Sequence, residues 1–145
     1  MDTSPMPTEV AVRKALRQLC TDSVREAWLV KNRCRVLVDL AAVRTRANGG
    51  DAATSEELRD ALVSYLDEVL DRLEQEQYQI LLRIAMALEP QYRTMTAAER
   101  YAEVGRKFRG EGAKVVKAGT IRQHHTKKAV AALAPIIIAD EAELR

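Results

Sequence analysis

The chain of 145 residues is 47% hydrophobic and 30% charged, and its 23 Lys and Arg against 21 Asp and Glu give a formal net charge of +2. A chain of this length can bury a core without disulfides, and no apolar run approaches the ~20 residues of a membrane-spanning helix. With only two cysteines and no signal-peptide pattern at its start, we expect a cytoplasmic protein that crosses no membrane.

The first third of the chain is predicted to form two helices. The first begins near Thr8 and ends near Asp22. Ser23 opens a capping-box pattern, which predicts a second helix to about Ala47. Residues 34–40 also alternate like a strand, but a lone strand would have no partner, so a helix is favoured.

The strongest helical pattern covers residues 55–89, with Thr54 or Ser55 as its cap and Pro90 at its end. An unbroken helix of this length would measure about 52 Å, whereas a compact domain of this size is only about 38 Å across. We therefore predict a break near residues 74–77. The alternative is a protruding helix that joins two copies, and we expect a homodimer formed through this region. The apolar side chains predicted to form the dimer interface are Leu62, Leu66, Val69 and Leu73.

Two more helices are predicted in the last third of the chain. Thr96, followed three residues later by Glu99, has the capping-box pattern and opens a helix through Phe108. Thr120 is predicted to cap the last helix. Because proline has no N–H, Pro135 is expected to interrupt the hydrogen bonds of this helix and can begin a separate final helix. The fold is therefore predicted to be all-α.

Charge is segregated along the chain. Residues 51–90 carry three basic and ten acidic side chains, whereas residues 91–134 carry ten basic and three acidic ones. Basic blocks attract polyanions. The alternative interpretation is that the acidic block pairs with the basic block inside one molecule, and the sequence leaves both open.

Residues 116–124, Val-Lys-Ala-Gly-Thr-Ile-Arg-Gln-His, resemble the start of the recognition helix in LuxR-type and sigma-factor region-4-type helix-turn-helix domains. Residues 103–108 are similar to the first helix of that unit, and the resemblance extends over residues 96–133. The turn, residues 109–115, has seven residues where about one is usual in such a unit. Lys128 stands where those families place an apolar core residue.

The resemblance implies a DNA-binding transcriptional regulator that reads duplex DNA through its last helix. Residues 1–90 would then form a helical bundle for dimerisation or regulation, and residues 91–145 a basic helix-turn-helix-like unit with a C-terminal helix. Arg suits guanine and Gln suits adenine, and the implied base-reading residues are Arg122, Gln123, Thr126 and Lys127. The implied phosphate-binding residues are Arg106, Lys107, Arg109, Lys114, Lys117 and Lys128.

The sequence contains no phosphate-binding loop, dinucleotide fingerprint or nucleophile elbow, so we expect no enzymatic activity, no cofactor and no metal. Cys20 and Cys34 are expected to be buried free thiols. The alternative function is an all-helical protein–protein adaptor or regulatory subunit that binds no DNA. Such a protein would dock its partner through the acidic helix of residues 55–89.

Overall fold

The computed structural model describes residues 6–26, 34–47, 54–107 and 117–144, and within these ranges every regular element is helical. The predicted all-α class is therefore confirmed. The first six helices are α1 (Glu9–Asp22), α2 (Arg35–Val38), α3 (Ala41–Arg46), α4 (Ser55–Leu70), α5 (Glu76–Ala85) and α6 (Ala97–Lys107), with single 3-10 turns at Val24–Glu26 and Pro90–Tyr92.

The last element, which we call the C-terminal helix, runs from residue 118 to residue 144. It consists of a short α-helical start (Ala118–Thr120), a π-helical turn (Ile121–His125) and a long α-helical part (Thr126–Leu144). No helix in the described ranges combines the length and the apolar character that crossing a bilayer requires.

Threonine side chains begin three of these helices, as the sequence predicts. Thr8 Oγ1 accepts a hydrogen bond from a backbone N–H in the first turn of α1 at 3.1 Å. Thr54 and Glu57 form a reciprocal capping box at the start of α4. Thr96 and Glu99 do the same for α6, at 2.9 and 3.2 Å. These bonds satisfy N–H groups that the first turn of a helix otherwise leaves unpaired.

The predicted break in the segment 55–89 is confirmed. α4 ends at Leu70 and α5 begins at Glu76, so the intervening residues turn the chain back on itself. The side-chain amide of Gln79 closes the turn by donating to the carbonyl of Leu73 at 2.8 Å. Two helices of moderate length thus replace one helix that would be longer than the domain.

The apolar stripe that was predicted to join two copies lies inside its own chain. Three of its side chains have no exposed surface and the fourth is 6% exposed; they are Leu62, Leu66 and Val69, and then Leu73. Their assignment to a dimer interface is therefore wrong, because each already packs in the core of one chain. The homodimer itself stays a prediction, with its interface at another surface.

The predicted helix from Ser23 to Ala47 is wrong. Ser23 instead ends α1 with a positive φ of 67°, and its N–H donates to the carbonyl of Leu19 at 2.7 Å. Its side-chain oxygen caps nothing, since it is buried without a hydrogen-bond partner among the described residues. The described part of the following segment forms a 3-10 turn and the short helices α2 and α3, and residues 34–40 form no strand.

Two predictions about the C-terminal helix are also wrong. Thr120 lies inside the helix with helical dihedral angles, and Lys117 occupies the N-cap position. Pro135 does not divide the helix, which continues to Leu144. The proline is exposed, while Ala134 and Ile137 on either side of it are fully buried. Packing of the buried face therefore outweighs the loss of one backbone hydrogen bond.

One hydrophobic core includes residues from both sides of the predicted boundary at residue 90. The C-terminal helix packs against α1, α3, α4 and α5, so it is a central element of the N-terminal bundle as well as the end of the predicted DNA-binding unit. The fully buried side chains on this helix include Ile121, Ala129, Leu133 and Ile137.

Two carboxylates near the end of the C-terminal helix connect it to the N-terminal half of the chain. Asp140 accepts hydrogen bonds from the Tyr65 hydroxyl at 2.9 Å and from Arg72 at 3.1 Å. Glu141 is 1% exposed and accepts from the backbone N–H of Ala41 at 2.9 and 3.2 Å. This carboxylate therefore serves as a remote cap for the N-terminus of α3.

Cys20 and Cys34 are buried free thiols, as predicted. Burial raises the pKa of the Cys20 thiol to about 12, despite the nearby positive charge of Arg100. Because the thiolate is the reactive form, we expect Ellman's reagent to label neither cysteine in the native protein at pH 8 and both in guanidinium chloride. Rapid release of one equivalent of chromophore from the native protein would contradict the buried placement.

Candidate nucleic-acid interface

α6 and the start of the C-terminal helix are the two helices of the predicted helix-turn-helix, and they pack against each other. α5 also packs against α6, so three helices form the predicted unit. Tyr101, Val104 and Ile121 are its buried contacts. The connecting residues 108–116 lie outside the described residues, and with them the predicted phosphate contacts of Arg109 and Lys114.

The π-helical turn determines which side chains the C-terminal helix exposes. The N–H of Thr126 donates to the carbonyl of Ile121, five residues earlier. The Thr126 hydroxyl lies 3.0 Å from the same carbonyl and 3.2 Å from the Tyr101 hydroxyl. This turn contains one residue more than an α-helical turn, which rotates the following residues by about 100° around the helix axis.

This rotation explains why Thr126 is buried and why an exposed lysine, Lys128, occupies a position that is usually apolar. Thr126, predicted to read bases, is 4% exposed and faces the core, so that assignment is wrong. Lys128, which stands where an apolar residue is usual, faces solvent. The next two residues, Ala129 and Val130, are buried in its place.

The outer face of the C-terminal helix is basic from its N-cap residue, Lys117, to Lys128. Lys117, Arg122, Lys127 and Lys128 are exposed, as is His124. The guanidinium of Arg122 lies over the ring of Tyr101, 5.6 Å from the ring centroid, and this cation–π contact holds the arginine beside α6. The side chain of Gln123 lies outside the described part of the structure.

The two predicted phosphate-binding residues at the end of α6 are held by an acid. Arg106 Nε donates to Glu103 Oε2 at 3.0 Å. Lys107 Nζ lies 3.8 Å from Glu103 Oε1 and donates to the Tyr92 hydroxyl at 3.1 Å. The hydrogen bond from Arg106 and the charge of Lys107 lower the pKa of Glu103, so this carboxylate stays ionised and offsets one of the two positive charges.

The acidic block does not neutralise this basic face. In the described ranges, three carboxylates of α4 pair with arginines of α3, α4, α5 and the turn after α4. The acid–arginine pairs are Asp60–Arg59, Asp67–Arg83, Glu68–Arg46 and Glu68–Arg72, with a further contact from Asp71 to Arg83. The interpretation that the acidic middle pairs with the basic end therefore fails at the C-terminal helix. It stays open for the first part of the basic block, where Arg93 and Lys107 interact electrostatically with Asp60 and Glu89.

Arg100 fixes α6 to the rest of the molecule. It is 3% exposed, and among the described residues its guanidinium donates only to backbone carbonyls. These are Ala85 O at 2.9 Å, Met95 O at 2.8 Å, Thr21 O at 2.9 Å and Cys20 O at 3.4 Å. Burial lowers the pKa of this guanidinium. Sequence reasoning missed Arg100, because an arginine in a basic segment is expected on the surface.

The chain matches no family model, no curated protein and no solved structure. The class of protein therefore follows from the structure alone. The described part of the chain is all-helical with one core. The outer face of its last helix is basic, and this helix packs beside a second, shorter helix, α6.

Proposed function

We propose a cytoplasmic, DNA-binding transcriptional regulator that places the outer face of the C-terminal helix in the major groove of duplex DNA. The observation that carries this proposal is a set of cations without acidic partners. Among the described residues, no carboxylate lies within ion-pair distance of Lys117, Arg122, Lys127 or Lys128. A DNA duplex supplies the negative charge that these cations lack. Its phosphates release their bound counterions when lysine side chains take the place of those counterions.

Within this proposal the exposed residues divide into two roles. Arg122 would contact base edges together with Gln123, whose role is predicted from the sequence, since each of these side chains can make two hydrogen bonds to one base. Lys117 and Lys128 would contact phosphates and fix the position of the helix on the duplex. A homodimer would present two such helices to adjacent half-sites and thereby raise the affinity.

Replacing two phosphate contacts should weaken DNA binding of every sequence alike. For Lys117→Gln with Lys128→Gln, we expect the slope of log affinity against log salt to fall by about 0.9 for each lost contact. Fluorescence anisotropy with a random-sequence duplex, measured over a series of NaCl concentrations, gives this slope.

The matched control removes two positive charges at the far end of the C-terminal helix. Arg72 contacts Asp140, and Arg44 lies one turn after Ala41, which contacts Glu141. Lys128 is about 20 Å away along the helix. Arg44→Gln with Arg72→Gln should bind DNA like the wild type. If the wild type binds no duplex even at low salt, the DNA proposal is wrong and the adaptor hypothesis takes its place.

A further inference from the structure

A second basic surface lies beside the C-terminal helix. A groove of about 590 Å³ runs between α1 and this helix. On the α1 side it is lined by Arg13, Lys14 and Arg17, and on the other side by Lys127 with Val130. Among the described residues, none of those that line the groove is acidic.

The four cations of this groove have no acidic partners. Among the described residues, no carboxylate lies within ion-pair distance of any of them. Arg13 Nε is also buried, and it has no hydrogen-bond partner among the described residues. A buried donor without a partner costs free energy, and like charges that share a groove repel each other. Both costs are relieved when an anion occupies the groove.

The groove and the basic outer face of the C-terminal helix form one surface. Lys127 belongs to both, since it lines the groove and adjoins the exposed Lys128. Arg13 and Arg17 are one helical turn apart, so their separation along α1 is about 6 Å. Each strand of duplex DNA carries one charge per about 3.4 Å of helix axis, so this row can face neighbouring phosphates of one strand.

We propose that α1 is a second part of the DNA interface, in which Arg13, Lys14 and Arg17, with Lys127, hold backbone phosphates beside the major groove that the C-terminal helix occupies. This inference rests on the proposed function. A duplex is a better match than a compact anion, because the basic row continues beyond the groove to Lys128 and Lys117. An extended polyanion can contact the whole row, whereas a small anion would leave most of it unpaired.

The test removes two groove cations from exposed positions. Lys14→Gln with Arg17→Gln should reduce the salt slope for a random-sequence duplex by about two contacts, or about 1.8. This is the same loss as expected for Lys117→Gln with Lys128→Gln, and Arg44→Gln with Arg72→Gln serves again as the control. Both α1 residues are exposed, so circular dichroism and the melting temperature should stay at wild-type values.

The outcomes separate this inference from the proposed function. If Lys14→Gln with Arg17→Gln keeps the wild-type salt slope, while Lys117→Gln with Lys128→Gln reduces it, α1 lies outside the interface and the DNA-binding function stands. If the wild type binds no duplex, both fail together. A thermal shift with inorganic phosphate that the α1 variant abolishes, without any change in the DNA salt slope, would assign the groove to a free anion and overturn the inference.

Discussion

Arg100→Met is expected to lower the free energy of unfolding by at least about 3 kcal/mol, because hydrogen bonds from a charged donor contribute about 1.5–3 kcal/mol each. Methionine fills much of the volume but donates nothing. The carbonyls of Ala85, Met95 and Thr21, each 2.8 to 2.9 Å from the guanidinium, would stay buried without a donor. Urea unfolding followed by circular dichroism at 222 nm measures the change.

Two further variants show whether the loss comes from the hydrogen bonds. Arg100→Lys keeps the positive charge, but a single ammonium group cannot reach carbonyls in several directions, so most of the loss should remain. Arg35→Met removes an exposed arginine that contacts only Asp39 among the described residues, and should change stability by less than about 0.5 kcal/mol. If Arg100→Met and Arg35→Met unfold at the same urea concentration, Arg100 does not hold the helices together.

Glu141→Ala is expected to cost about 3 kcal/mol. The alanine leaves the N–H of Ala41 without an acceptor, and the loss of a charged hydrogen bond of this kind costs about 1.5–3 kcal/mol. The deleted methylene group adds about 0.8 kcal/mol. Glu141→Gln keeps an acceptor at the same place and should cost less. Thermal unfolding followed by circular dichroism ranks the variants.

Glu143 offers a matched control two residues further along the same helix. Its side chain is exposed, whereas that of Glu141 is buried, so Glu143→Ala should leave the melting temperature nearly unchanged. Equal melting temperatures for Glu141→Ala and Glu143→Ala would show that the bond to α3 contributes nothing to stability.

The features that the sequence predicts correctly depend on neighbouring residues. Thr54 and Thr96 each meet a glutamate three positions later, and both form the capping box that this spacing favours. The break before Glu76 follows from comparing the length of one helix with the size of the domain. Ser23 has the same local pattern as the two threonines, yet it ends a helix, because the chain turns there to pack the following segment against the core.

The features that the sequence does not predict depend on distant residues. Arg100 and Glu141 are buried because backbone groups from remote segments satisfy their charges, and no local pattern identifies those partners. The resemblance to helix-turn-helix domains implied that Thr126 lies on the DNA face, and it assumes a regular α-helix. That assumption fails at the π-helical turn, where the hydroxyl of Tyr101, 25 residues earlier, helps to hold the threonine inside. Lys128 at an apolar position was the one local sign of the changed register.

The π-helical turn has a consequence for how such a surface can change during evolution. It is equivalent to a single-residue insertion in an α-helix. Loss of one residue from Ile121–His125 would restore a regular helix and turn Lys117 by about 100° relative to the part that begins at Thr126. Residues 126–144 would keep their places in the core. The direction of Lys117 and Arg122 is therefore encoded separately from the packing of residues 126–144, and the loss of one codon in this turn would re-aim these two cations relative to Lys127 and Lys128.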